Sequence, residues 1–145
     1  MSAEIVPVVS AADREHAYAV RFAVFVREQG VPPEIELDAA DAAADHLLAR
    51  IDGRPAGTVR LLRRDGTGVL GRLAVLAEAR GTGLGAALVR AVEDRARAAG
   101  LTAVELHAQV AARGFYERLG YEAFGAEDEE AGIPHIWMRR RIEND

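Results

Sequence analysis

The spacing of hydrophobic and polar positions changes several times along the chain, and each change marks a predicted element. Ile5 to Val9 is a short, mostly apolar run and reads as a strand. Ser10 with Asp13 three residues later resembles a helix start. Ala17, Val20 and Val24 then share one face of a helix reaching about Gln29, and Gly30-Val31-Pro32-Pro33 stops it. The acidic, alanine-rich stretch from Glu34 to Asp45 fits either a short helix or a loop. Next come strand patterns at His46 to Ile51, Ala56 to Arg63 and Val69 to Val75, joined by the turn signals Asp52-Gly53 and Asp65-Gly66. The clearest helix pattern runs from Gly83 to Ala99, with Leu84, Leu88, Ala91 and Val92 in one stripe and Gly100 placed to cap it. Ala103 to Leu106 reads as a buried strand and Ala111 to Leu119 as a short helix closed by Gly120. Tyr121 to Phe124 and Ile136 to Arg140 read as two final strands. The order β-α-(α)-β-β-β-α-β-α-β-β predicts an α+β (mixed α/β) fold, with residues 1–145 as one domain.

Composition narrows the function classes. Half of the 145 residues are apolar, enough for a core, yet there is no uninterrupted apolar run of the ~18 residues a transmembrane helix needs. Met1-Ser2-Ala3-Glu4 lacks the basic-then-apolar pattern of a secretory signal, so a cytoplasmic location with no membrane partner is expected. The absence of cysteine excludes disulfides, thiolate metal sites and a cysteine nucleophile, and no metal is expected. A net charge of −5 argues against nucleic acid as a partner.

Arg80-Gly81-Thr82-Gly83-Leu84-Gly85 follows a strand pattern and opens the clearest helix. Glycines there permit a tight turn and close ligand approach, and free N–H groups at a helix start favour an anion such as pyrophosphate. A Walker phosphate loop is excluded, because it requires a lysine and the chain has none. A dinucleotide fingerprint fits Gly81, Gly83 and Ala86, with Glu105 as a ribose-binding acid. That fold needs its first glycine directly after the strand and several more βα units. A glycine turn without a ligand is the plainest alternative.

Arg80-x-x-Gly83-x-Gly85 resembles the Arg/Gln-x-x-Gly-x-Gly/Ala pyrophosphate signature of the GNAT superfamily of acetyl-coenzyme A-dependent N-acyltransferases. Gly71-Arg72-Leu73-Ala74-Val75-Leu76 resembles the family strand that pairs with the pantetheine arm, and Phe115-Tyr116-Glu117-Arg118-Leu119-Gly120-Tyr121 a segment near its C-terminus. The element order agrees over essentially the whole chain. Val24 to Pro32, His107-Ala108-Gln109 and Gly132-Ile133-Pro134-His135 resemble the ElaA-like branch. Many relatives carry asparagine where Gln109 stands, which puts a contact from Gln109 to the cofactor in doubt.

The resemblance implies an acetyl transfer from acetyl-coenzyme A to a primary amine by direct attack in a ternary complex. The acceptor would be a small molecule or a protein amine, and the protein a monomer or homodimer. Main-chain groups along Leu73, Ala74 and Val75 would bind pantetheine, with the Val75 N–H polarising the thioester. Arg80, Gly81, Thr82, Gly83, Leu84 and Gly85 would hold the pyrophosphate. Tyr116 would protonate the departing thiolate. The general base stays open between His135, Glu28 and deprotonation of a low-pKa amine through water, with His46 and His107 read as strand residues satisfied by hydrogen bonds. Two acidic clusters, Glu34, Glu36, Asp38, Asp41 and Asp45, then Glu127 to Glu130, are expected in loops that would draw cationic amines to one mouth. An acyl-homoserine-lactone synthase, a catalytically silent coenzyme A sensor and a structural interaction domain are the alternatives.

Overall fold

The computed structural model describes residues 2–142. Its seven strands are β1 (Ala3–Pro7), β2 (Asp45–Ile51), β3 (Arg54–Arg64), β4 (Thr67–Val75), β5 (Ala103–Gln109), β6 (Glu122–Glu130) and β7 (Ile133–Arg141). They form one sheet in the order β1-β2-β3-β4-β5-β7-β6. Every neighbouring pair is antiparallel except β4 and β5. The helices are α1 (Ala11–Arg21), α2 (Pro33–Glu36), α3 (Leu84–Ala98) and α4 (Arg113–Arg118). No helix among the described residues is long and apolar enough to cross a membrane.

Ser10 caps α1 by accepting the Asp13 N–H at 3.0 Å. Beyond Arg21 the same helix widens into π-helical turns over Phe22–Glu28. Gln29 N–H then bonds the Val24 carbonyl, five residues back, and Gly30 turns the chain away at φ +73°. The apolar stripe of α3 is fully buried at Leu88, Val89 and Val92, where it covers Leu47, Leu61 and Leu70 of the sheet. Gly57 on β3 permits the close approach, because a Cβ there would lie 2.9 Å from Leu88. A smaller cluster, Val20, Val24 and Ala74, joins α1 to β4.

Most predicted elements occur, with changed boundaries. β1 begins two residues earlier, because its register against β2 starts at Ala3↔Ile51, and Val9 is left exposed. The stretch after Pro33 is α2 followed by a 3₁₀ turn over Ala39–Ala43. The larger correction concerns Glu127 to Glu130, expected as a loop. These residues are the end of β6, paired as Asp128↔His135 and Glu130↔Ile133. Their acidic side chains conceal the strand, which forms because β7 supplies the pairing edge.

Between β4 and β5 the sheet opens. Their parallel pairing runs from Thr67↔Ala103 to Leu70↔Leu106 and no further, while β4 continues along β3 and β5 along β7. The divergence begins at a bulge: Thr58↔Ala74 gives way to Arg60↔Gly71, so β4 carries one extra residue. Arg72 lies in that bulge with φ +54°. A bulge bends its own strand and sharpens the local twist, and here it carries the end of β4 away from β5.

Candidate active site

The opening leads into a cavity of about 980 Å³. Its first wall is main chain. Leu76 N–H bonds Ala56 O of β3 at 2.8 Å. Strand alternation therefore turns the Val75 N–H and C=O toward the open side. The Val75 carbonyl accepts a hydrogen bond there from Arg80 Nε at 3.0 Å. Leu73, at the same wall, is partly buried against the main core, and Ala74 faces α1.

The glycine turn borders the end of this wall. Gly81 and Gly83 have φ of +79° and +85°, a region costly for a β-branched residue. No side chain caps α3 at Gly83, so the N–H groups of its first turn point outward unbonded by a cap. Thr82 donates its hydroxyl to Ala79 O at 2.6 Å and braces the turn. Leu84 is buried and anchors the helix start, while Gly85 lines the cavity beside Phe115. The Arg80 guanidinium is engaged with Glu28 through Nη1 to Oε2 at 3.0 Å and Nη2 to Oε1 at 2.7 Å. That hydrogen-bonded pairing lowers the Glu28 pKa, which makes Glu28 a weaker proton acceptor than an ordinary carboxylate and argues against it as the base.

The facing wall is built from side chains. His107 on β5 stands opposite Trp137 on β7, and Gln109 opposite His135. The His107 ring lies between Trp137, 4.9 Å away, and His135, 4.6 Å away. His135 is buried, and its Nδ1 lies 2.6 Å from the Ile133 carbonyl. A carbonyl only accepts, so Nδ1 carries the proton and neutral His135 presents a bare Nε2. Gln109 donates Nε2–H to Gln29 Oε1 at 2.8 Å. Tyr116 on α4 also lines the cavity, its ring edge-on to Phe115 and Tyr121. Burial pushes the Tyr116 phenol well above its ordinary pKa, so it stays protonated at neutral pH.

The expected field of acidic loops is corrected by three arginines. Arg21 is buried and donates to Glu36 Oε2 and Asp41 Oδ1, each at 2.9 Å. Arg60 donates to Asp38 at 2.8 Å and Asp41 at 2.9 Å. Arg72 reaches Glu36 at 3.0 Å and Asp38 at 3.2 Å. Burial raises the Asp41 pKa, but hydrogen bonds from Arg21 and Arg60 outweigh it and leave the value lowered to about 2. Asp45 pairs with Arg63. Glu36, Asp38 and Asp41 therefore form a neutralised network that ties residues 35–41 to α1, β3 and β4. At the second cluster, Asp128 meets the cleft side chains through His107, and Glu130 through His107, His135 and Arg72. Sequence reading missed Arg21, Arg60 and Arg72. One signal was present: Arg72 interrupts the apolar run from Val69 to Val75. His46 is bonded to Asp41 O at 2.9 Å, as expected of a strand histidine.

The GNAT acetyltransferase domain model matches residues 8–142. A Bacillus subtilis protein named as an acetyltransferase is 39% identical over 92% of this chain and 93% of its own length. The crystal structure of a Lactobacillus plantarum N-acetyltransferase superimposes with TM-score 0.91 at 32% identity, covering 99% of this chain and all of that one. Escherichia coli ElaA superimposes with TM-score 0.85 at 27% identity, covering 96% and 99%. A sheet opened between its two parallel strands, with a glycine turn at the end of the opening, thus belongs to a molecule related to acetyltransferases along nearly its whole length: the chain is a member of the GNAT acetyltransferase family.

Proposed function

We propose that the protein transfers an acetyl group from acetyl-coenzyme A to a primary amine within a ternary complex. The observation that carries this reading is the open strand edge at Val75, whose N–H faces the cleft beside an uncapped glycine turn. Acetyl-coenzyme A supplies the acetyl thioester and a pyrophosphate, and both halves of the cleft fit it. The Val75 N–H faces the open cleft, where it stabilises negative charge developing on the thioester oxygen. N–H groups of residues 81–85 take the pyrophosphate at the helix start, and Arg80, held by Glu28, adds its positive charge beside them.

His135 Nε2 takes one proton from the attacking amine as the nitrogen–carbon bond forms. Tyr116 gives its proton to the sulfur as the carbon–sulfur bond breaks. The products are an amide and coenzyme A. The high pKa of the phenol keeps this proton in place until a thiolate develops beside it. Without cysteine, no thiol stores the acetyl group, and direct transfer is the simpler route. A preference for cationic amines now rests on Asp128 and Glu130 alone.

Calorimetry with acetyl-coenzyme A, followed by an amine-library screen for released thiol, tests the proposal. Binding and thiol release with at least one amine are expected. Failure to bind acetyl-coenzyme A, or a stable acetyl-enzyme able to pass its acetyl group to an amine, overturns it.

A further inference from the structure

The facing wall holds a cluster of which the proposed acetyl transfer uses only His135. Among the described residues, His107, Glu130 and His135 each offer one ligand atom, and these atoms lie within 4.8 Å of one another. His107 Nε2 is 2.6 Å from Asp128 Oδ1, and His135 Nδ1 is 2.6 Å from the Ile133 carbonyl. Both acceptors fix the proton on the ring nitrogen they touch. In the neutral rings the two remaining nitrogens, His107 Nδ1 and His135 Nε2, then carry lone pairs, whereas a doubly protonated His107 donates Nδ1–H to Glu130.

Those lone pairs face one carboxylate. His107 Nδ1 is 3.2 Å from Glu130 Oε1, and His135 Nε2 is 3.9 Å from Glu130 Oε2. Three electron-pair donors thus converge. Arg72 Nη1 lies 4.0 Å from Glu130 Oε2, beyond hydrogen-bond reach. A second proton on His107 would satisfy Glu130 Oε1 but leave His135 Nε2 without a donor. A single divalent ion answers all three donors at once.

We propose that His107 Nδ1, His135 Nε2 and Glu130 bind a transition-metal ion of the Zn²⁺ class, although the composition alone led to no expectation of a metal. Imidazole and carboxylate are the ligand types such ions take. At bonds of about 2.0–2.2 Å, tetrahedral ligand atoms stand roughly 3.3–3.6 Å apart, so the three donor atoms, all within 4.8 Å of one another, draw in around the ion to reach that spacing. The outer groups match as well: metal-bound histidines donate their other N–H to a carboxylate or a carbonyl, the roles of Asp128 and Ile133. Stacking on Trp137 holds the His107 ring in place. Three protein ligands leave a fourth position open to the cavity. Because the ion uses the lone pair that our proposed mechanism assigns to the base, its occupancy switches acetyl transfer off; this regulatory consequence rests on that mechanism, whereas binding does not.

The test titrates Co²⁺ into the intact protein without acetyl-coenzyme A, following visible ligand-field absorption and the fluorescence of the single tryptophan, Trp137. One Co²⁺ per chain, displaced by Zn²⁺, is expected. His107→Ala and His135→Ala should each weaken Zn²⁺ binding more than about a hundredfold, and Asp128→Asn about 10- to 100-fold. His16→Ala, remote from the cluster, should bind as the parent does, and circular dichroism checks that each variant folds. Absence of a saturable Co²⁺ spectrum in the parent, or its survival in both folded histidine variants, overturns the site. In the activity arm, Zn²⁺ should inhibit the parent reversibly and spare His107→Ala. Metal binding without such inhibition refutes the switch while the site stands, and absence of any acetyl transfer refutes the proposed function while the cobalt result still decides the site.

Discussion

At the end of β4 the cleft is lined by main chain, and across it, between β5, β6 and β7, by side chains. The first region needs little from any one residue's functional group. It needs a strand edge freed by the Arg72 bulge and glycines that tolerate φ near +80°. The second depends on particular atoms: a histidine fixed by the Ile133 carbonyl, a second bonded to Asp128, and a buried phenol. Beside the first lies the arginine–carboxylate network, which ties residues 35–41 to α1, β3 and β4. The difference teaches that one cleft can join a part recognisable from a short motif to a part assembled from four separate stretches of chain.

The largest expected effect lies in the network beside the first region. Removing one partner of a buried ion pair leaves an uncompensated charge and costs about 3–5 kcal/mol. Arg21→Ala removes one of two arginines from each of Glu36 and Asp41, which keep Arg72 and Arg60, and urea unfolding should show a loss approaching this order. A loss under about 1 kcal/mol would mean that the network contributes little beyond surface pairing.

Tyr116→Phe sharpens the contrast from the side-chain wall. If the phenol is the acid, turnover falls roughly 10- to 1000-fold with little change in acetyl-coenzyme A affinity. Equal turnover would leave Tyr116 a packing residue. Gly83→Val attacks the main-chain wall instead. A ligand at a hundred times its dissociation constant raises stability by about 2.7 kcal/mol, and the variant should lose most of the corresponding rise in melting temperature. An undiminished rise would remove the pyrophosphate from the glycine turn.

Acid should dismantle the network gradually. Asp41 titrates lower when folded, so its contribution is complete above about pH 4 and is lost as pH falls toward 2. The stability gap between the protein and Asp41→Asn should therefore be full at neutral pH and shrink below pH 4. A constant gap would show that the arginines do not act through the Asp41 charge. The smallest effect is expected at Glu28, already neutralised by Arg80. Glu28→Gln should change turnover less than about threefold, whereas loss of a general base costs roughly a hundredfold or more. A drop of the latter size would restore Glu28 as the base in place of His135.

The sequence by itself determined the elements whose signals are local. Ser10 and Asp13 start α1, Asp52-Gly53 and Asp65-Gly66 form the hairpin turns, and the glycine turn opens α3, because each depends on neighbours a few residues apart. The glycine motif, together with the strand before it and the segment from Phe115 to Tyr121, also disclosed the family and one end of the cleft. Only the tertiary structure decided the rest. The strand at Glu127 to Glu130 exists because β7 offers a pairing edge. Glu36, Asp38 and Asp41 lose their expected attraction for cations because Arg21, Arg60 and Arg72 converge on them from α1, β3 and β4. His107, Glu130 and His135 meet because β5, β7 and β6 lie side by side, in an order the chain does not follow. Charge and ligand geometry depend on distances in space, and those distances arise only when strands far apart in sequence share one sheet.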